Sequence, residues 1–201
     1  MPFSRATGGL DTGRFTLGLI LGLALTLGVA GLWGAALIEA QLPITRGLLN
    51  LFDDHFRILV LDVERNWQDT VVRLRVVVDQ PFVIGGQVIG TDSGWFEVTT
   101  TTGAMLQPLV IAPALALALP GGLLARILAG GIAALLALGF LLLDVPLTLY
   151  GYLWDMFIDS MEPDRFSPVM VWHGFLHAGG RLGIALILGV AGWRLARRGQ
   201  R

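Results

Sequence analysis

The side chains best suited to chemistry in this sequence are His173, His177 and Arg181, which recur at intervals of four residues. On a helix that spacing puts all three on one stripe. A His pair four apart can ligate zinc or copper, and Asp155 and Asp159, also four apart in the preceding segment, would add carboxylate oxygens. The plainer alternative is that both imidazoles sit at a membrane surface and make ordinary hydrogen bonds. No glutamate stands where the zinc-protease pattern HExxH requires one, and the chain has no cysteine. Thiolate metal sites, disulfides, haem attachment and cysteine nucleophiles are thereby excluded together. The expectation is no cofactor, with a metal on His173, His177, Asp155 and Asp159 as the alternative.

Arg181 raises a question of energy. It lies in a long apolar block that closes with Arg194, Arg197 and Arg198. Counting back about 20 residues from Arg194, at about 1.5 Å per residue, puts His173 near one membrane surface and Arg181 roughly a third of the way into the bilayer. An ionisable side chain at that depth is costly unless paired or wetted, which marks a candidate functional site. Asp144 is the first choice of counter-charge, and the Asp155 and Asp159 pair the second. Arg181 with Asp144 is therefore expected to form an intramembrane charge or partner site. The structural alternative is an ion pair that locks the helices together.

Other catalytic patterns are missing. Neither GxSxG, GxxxxGK[ST] nor GxGxxG occurs, and none of the four Ser residues has a His nearby in sequence. No catalytic residue is assigned, and the chain is expected not to be an enzyme. Small residues do recur at a spacing that lets helices approach closely: Gly18 with Gly22, Ala24 with Gly28, and Gly179 with Gly183.

The elements that must position these residues are dictated by composition. Of 201 residues, 54% are hydrophobic and 14% charged, against roughly a quarter charged in a soluble domain. The apolar residues fall in blocks near the length that crosses a bilayer. Residues 15–37 form the first, after Arg5 and Arg14, and are too long for the core of a cleaved signal peptide. Residues 105–119, with Pro108 and Pro113, form the second, and its prolines favour packing inside the bundle over facing lipid. Residues 123–143 and 169–195 form the third and fourth. The predicted fold class is thus a membrane protein, an α-helical bundle of four transmembrane helices with a small extracytoplasmic antiparallel β domain inserted between helices 1 and 2.

That domain covers residues 38–104. Pro43 and the apolar Leu48, Leu49, Leu51 and Phe52 suit a short helix lying at the interface or connecting to the domain. The β-branched runs FRILVLDV, TVVRLRVVV, FVIGGQVI and WFEVTTTT follow, separated by turn signals at residues 66–69, 79–81 and 90–94. Alternation of Val72, Leu74, Val76 and Val78 with Arg73 and Arg75 predicts one wet face. A meander this small is expected to lean on the membrane, a helix or a partner. Residues 144–168 are read as an outer loop rich in aromatic and acidic side chains, and 196–201 as a tail.

Arginine distribution sets the predicted orientation. Residues 1–14, the turn near Arg126 and the C-terminus carry Arg and fall on one side of a four-span arrangement. The other side receives residues 38–104, with nine acids and five Arg, and residues 144–170, with five acids and one Arg. Basic residues flanking spans are retained in the cytoplasm. Both termini are therefore expected there, in a multi-pass protein of the bacterial inner membrane. A net charge of -1 and the absence of any basic run outside the tail argue for no nucleic acid. The expected partners are the lipid bilayer and other membrane protein subunits.

The order of parts resembles the exosortase H-associated membrane protein family, small membrane proteins encoded beside exosortases. The resemblance rests on an N-terminal anchor and a β segment ending in WFEVTTTTGAMLQPLVIAPALALALP. It continues through a third span, an outer segment containing YGYLWDMF, and a last helix ending in Arg. Gln107-Pro108-Leu109 is similar to the Asn-Pro-Leu that opens that family's second span, with Gln in place of Asn. The resemblance implies an accessory role near a membrane transpeptidase that sorts proteins to the cell surface, with no catalytic residues of its own. The functional expectation is a non-catalytic accessory or structural subunit of a cell-envelope membrane complex. The alternatives are a metal-binding or redox subunit using His173, His177 and the acidic outer loop, and a small transporter or channel component.

Overall fold

A computed structural model describes residues 12–66 and 69–199, with the side chain of Asn66 left aside. Arg5, Arg201 and residues 67 and 68 of the first expected turn lie outside the described residues. In chain order the elements are α1 (Thr12–Phe52), β1 (Phe56–Asn66), β2 (Asp69–Val78), β3 (Phe82–Ile84), β4 (Gln87–Ile89), β5 (Trp95–Thr101), α2 (Thr102–Ala118), α3 (Leu123–Met161), α4 (Pro168–Phe175), a π-helical turn (Leu176–Gly180) and α5 (Arg181–Arg198). Among the described residues three helices are long and apolar enough to cross a membrane: α1, α3, and the unit from Pro168 to Arg198. They mark the chain as a membrane protein. The fourth apolar helix, α2, is shorter at 17 residues.

Where the sequence suggested separate pieces, the backbone runs on. Residues 38–52 are not a short helix lying flat; they continue α1 without a break, and Pro43 sits inside the helix. Ile38, Gln41, Thr45 and Leu49 are buried, a three- and four-residue spacing that gives this stretch one packed face. That face docks on the sheet and α3, which is why the amphipathic stretch stays upright. Residues 144–161 are likewise helical rather than loop, extending α3 to 39 residues through Pro146. Here Val145, Leu149, Leu153, Phe157 and Ile158 are buried, while Asp159 points outward.

The sheet has three antiparallel strands in the order β1-β2-β5. In β2 the burial alternates as its sequence alternates: Val72, Leu74, Val76 and Val78 are buried, and Arg73 and Arg75 stand on the other face beside carboxylates. Arg73 pairs with Asp62 and Glu64, and Arg75 with Glu97. The run FVIGGQVI is not one strand. It folds back on itself as the hairpin β3-β4, because Gly85 and Gly86 both take positive φ, 56° and 76°. That is the two-residue turn whose twist matches antiparallel strands. The sheet's buried face, the end of α1 and the second half of α3 share one apolar core, in which Phe56, Phe82, Phe96, Trp154 and Phe157 make edge and stacked ring contacts.

A second core of small side chains joins the helices. Gly18 and Gly22 of α1 lie against the backbone of Ala118 and Ala114, so α1 and α2 run antiparallel in close contact. Gly189 and Gly192 of α5 do the same against Ala112 of α2 and against Ala129 and Ala133 of α3. Backbones come this close only where Cβ atoms are missing. Gly28, Gly179 and Gly183 have open space where a Cβ would go, so of the three small-residue pairs only Gly18 with Gly22 is used within the chain.

Candidate functional site

Two stripes face each other across the bundle. On α3, Asp144, Thr148 and Tyr152 are spaced four apart and project from one side. Opposite them, on the last helical unit, stand Arg181, His177 and His173. Asp144 is fully buried and Arg181 is 5% exposed. The guanidinium Nε donates to Asp144 Oδ2 at 2.9 Å, and Nη2 donates to Oδ1 at 3.2 Å, a bidentate pairing. Nη2 also donates to Thr148 Oγ1 at 2.6 Å, and that hydroxyl donates onward to Asp144 Oδ1 at 3.0 Å. The structure thus brings Arg181 and Asp144 together and adds Thr148. The buried charges are balanced and most of their hydrogen-bonding capacity is used, the condition under which such a pair is tolerated.

The next level outward is a hydrogen-bonded pair of rings. His177 Nδ1 lies 2.9 Å from the carbonyl oxygen of His173, and its Nε2 lies 2.7 Å from Tyr152 Oη. A carbonyl only accepts, so Nδ1 carries a proton, and in the neutral ring Nε2 then accepts from the tyrosine hydroxyl. His173 is buried against Gly151, its ring edge-on to Tyr152 at 4.5 Å and 4.2 Å from the ring of His177.

The stripe of three residues at strict intervals of four does not survive intact. Between His177 and Arg181 the helix widens into the π turn, and Gly179 takes a φ of 99°. A positive φ is open to Gly at little cost. Interrupted helices of this kind recur at functional sites. Here the turn separates His173 and His177, set against Tyr152, from Arg181, set against Asp144.

Beside this array opens a cleft of about 510 Å³. Thr99 and Thr101 of β5, Gln107 of α2, Tyr152, His177 and Arg181 supply its polar lining. The two N–H groups on Arg181 Nη1 have no protein acceptor among the described residues. Arg181, the Gln107 amide and the threonine hydroxyls give the wall of the cleft its hydrogen-bond donors. The cleft can therefore hold a group rich in acceptors, such as a carbonyl or carboxylate.

The acids do not join the His pair. Among the described residues the only set of three or more metal-ligating side chains with ligand atoms within 4.8 Å of one another is Asp53, Asp54 and His55. Asp155 and Asp159 are not gathered with His173 and His177 into such a set. Spacing alone missed the Asp53 cluster. Asp53 accepts from the backbone N–H and Nδ1 of His55 through Oδ1, and through Oδ2 from Tyr150 Oη at 2.9 Å and Trp154 Nε1 at 3.2 Å. Both of its oxygens are occupied, by donors from α3 and from His55 in the bend before β1. Its role is to fasten the end of α1 to the second half of α3.

Protein-family models, curated proteins and solved structures were compared with this chain, and none matches it.

Proposed function

We propose that the chain is a non-catalytic accessory or structural subunit of a cell-envelope membrane complex. The observation that carries this reading is the bareness of α1: only 6% of its most apolar stretch is buried within the chain, against 44% in α3. Gly28 and Gly31 lie on that bare surface with open space above them, which suits close packing by a helix of another subunit. The polar cleft gives the same subunit a second place to receive a partner's segment. The resemblance to the exosortase H-associated family adds support, and it would put the complex beside a transpeptidase that sorts proteins to the surface.

In this reading α2 is a fourth span and the sheet lies outside the bacterial inner membrane. All described acids fall in residues 39–97 and 144–164, whereas Arg126, Arg194, Arg197 and Arg198 cluster at the opposite end of the bundle, which supports cytoplasmic termini. A reporter active only in the periplasm should be active when fused at residue 80 and silent at residue 201. Activity at 201 would refute the four-span arrangement.

The subunit reading is tested by purification in a mild detergent. The wild-type chain is expected to migrate with other membrane chains in a fixed ratio. Gly28→Leu with Gly31→Leu is expected to release it as a folded free chain. Migration of the wild type as a free monomer in both detergent and native nanodiscs would overturn the proposal.

A further inference from the structure

The end of α5 farthest from the sheet carries a cluster of cations with no acidic partner among the described residues. Trp193 Nε1 donates to the carbonyl oxygen of Pro120 at 3.0 Å, which pins this end of α5 to the turn between α2 and α3. Arg197 lies over the Trp193 ring, 4.9 Å from its centre. Trp193, Arg194, Arg197 and Arg198 surround a cleft of about 270 Å³. Arg126 is on the same end, one turn before Ala129, which itself touches Gly192. Its Nε is buried with no hydrogen-bond partner among the described residues. No ion pair among the described residues engages Arg126, Arg194, Arg197 or Arg198. Nor does an acid occur in residues 12–38, 98–143 or 165–199, the segments that build this end.

Arginines gathered around one cleft repel one another unless an anion sits between them. We propose that this cleft is a binding site for the phosphate of an anionic phospholipid. Guanidinium groups match phosphate oxygens two at a time, and Arg197 is already held in place on an aromatic face. The setting favours a lipid as the source of the phosphate. At about 1.5 Å per residue α5 is about as long as the hydrocarbon layer is thick, so its last turn reaches the headgroups, where tryptophan is also favoured. Leu195, Leu123 and Leu124 are 46%, 77% and 68% exposed, giving acyl chains an apolar surface to lie along. Basic pockets between helices at a membrane face bind such headgroups. The proposal is independent of the subunit reading and needs only that the bundle span a bilayer.

The test uses the full chain in nanodiscs of phosphatidylcholine with about one third phosphatidylglycerol, released into detergent for native mass spectrometry. The wild type should retain phosphatidylglycerol in preference to phosphatidylcholine. Each Arg→Gln substitution at 194, 197 or 198 should lower that preference on the order of fivefold, and the triple variant should show none. Trp193→Leu keeps every charge, removes the platform under Arg197, and should weaken retention by a smaller factor. Equal retention of the two lipids by the wild type would overturn the proposal, as would unchanged preference in the folded triple variant. Inorganic phosphate at millimolar concentration is the separate arm. If it binds the wild type in phosphatidylcholine discs as tightly as the lipid does, the site is one for soluble phosphate and the lipid assignment fails.

Discussion

Asp144→Ala is expected to destabilise the fold by about 3–5 kcal/mol, the cost of stranding one member of a buried ion pair. Arg181 is the group stranded. Its guanidinium donates twice to Asp144 and once to Thr148 in a space with almost no solvent. Removing the carboxylate leaves a cation whose remaining fixed acceptor is one hydroxyl. Arg181→Leu on top of Asp144→Ala should recover part of the loss, since it exchanges an unpaired charge for a shorter, apolar side chain. Asp164→Ala, at an exposed position, should stay within about 0.5 kcal/mol of wild type. Denaturant titration of the purified protein in detergent measures all four. A double variant no more stable than Asp144→Ala would mean that the stranded charge is not what the single substitution costs.

The second large effect is expected where helices touch backbone to backbone. A Cβ on Gly192 would come within 2.8 Å of the Ala133 nitrogen and 2.9 Å of the Ala129 carbonyl oxygen. One on Gly189 would meet the Ala112 carbonyl oxygen at 2.8 Å. These neighbours are main-chain atoms and cannot rotate away. Leu at either position is expected to cost on the order of 1–3 kcal/mol by forcing α5 outward. Gly189→Leu with Gly192→Leu should cost more than either, because α5 is then pushed from α2 and from α3 together. Gly183→Ala is the control, since the added methyl meets open space and favours helix by up to about 1 kcal/mol. Equal melting temperatures for the double variant and Gly183→Ala would show that the helices are not packed as described.

The Arg181 and Asp144 contact was legible in the sequence because it follows from energy rather than from pattern: a cation at that depth needs an acid, and Asp144 is at the right level. Thr148 and Tyr152 were within reach of the same argument, being four and eight residues beyond Asp144 on one stripe. They were missed because the helix was ended at residue 143. The same error ended the first helix at residue 37. Hydropathy reports which solvent a segment meets, and Glu39, Asp155 and Asp159 announce water, not the end of a helix. Gly85-Gly86 carried a hairpin signal inside an apparently continuous strand. The π turn left no trace in residue spacing, and the ties from Asp53 to Tyr150 and Trp154 span 97 and 101 residues with no local cue.

The unbroken lengths of α1 and α3 have a mechanical consequence. At about 1.5 Å per residue, helices of 41 and 39 residues measure about 60 Å, twice the hydrocarbon thickness of a bilayer. The second halves of these two rods carry the sheet in a single shared core, which ties them together beyond Pro43 and Pro146, the prolines inside the two helices. With the first halves of both rods in a bilayer, the sheet's height above the lipid would be set by a pair of rulers and its heading by their tilt. A bilayer of different thickness, which tilts spanning helices, would swing the far end like the tip of a mast: about 10° of lean moves a point about 30 Å up by about 5 Å.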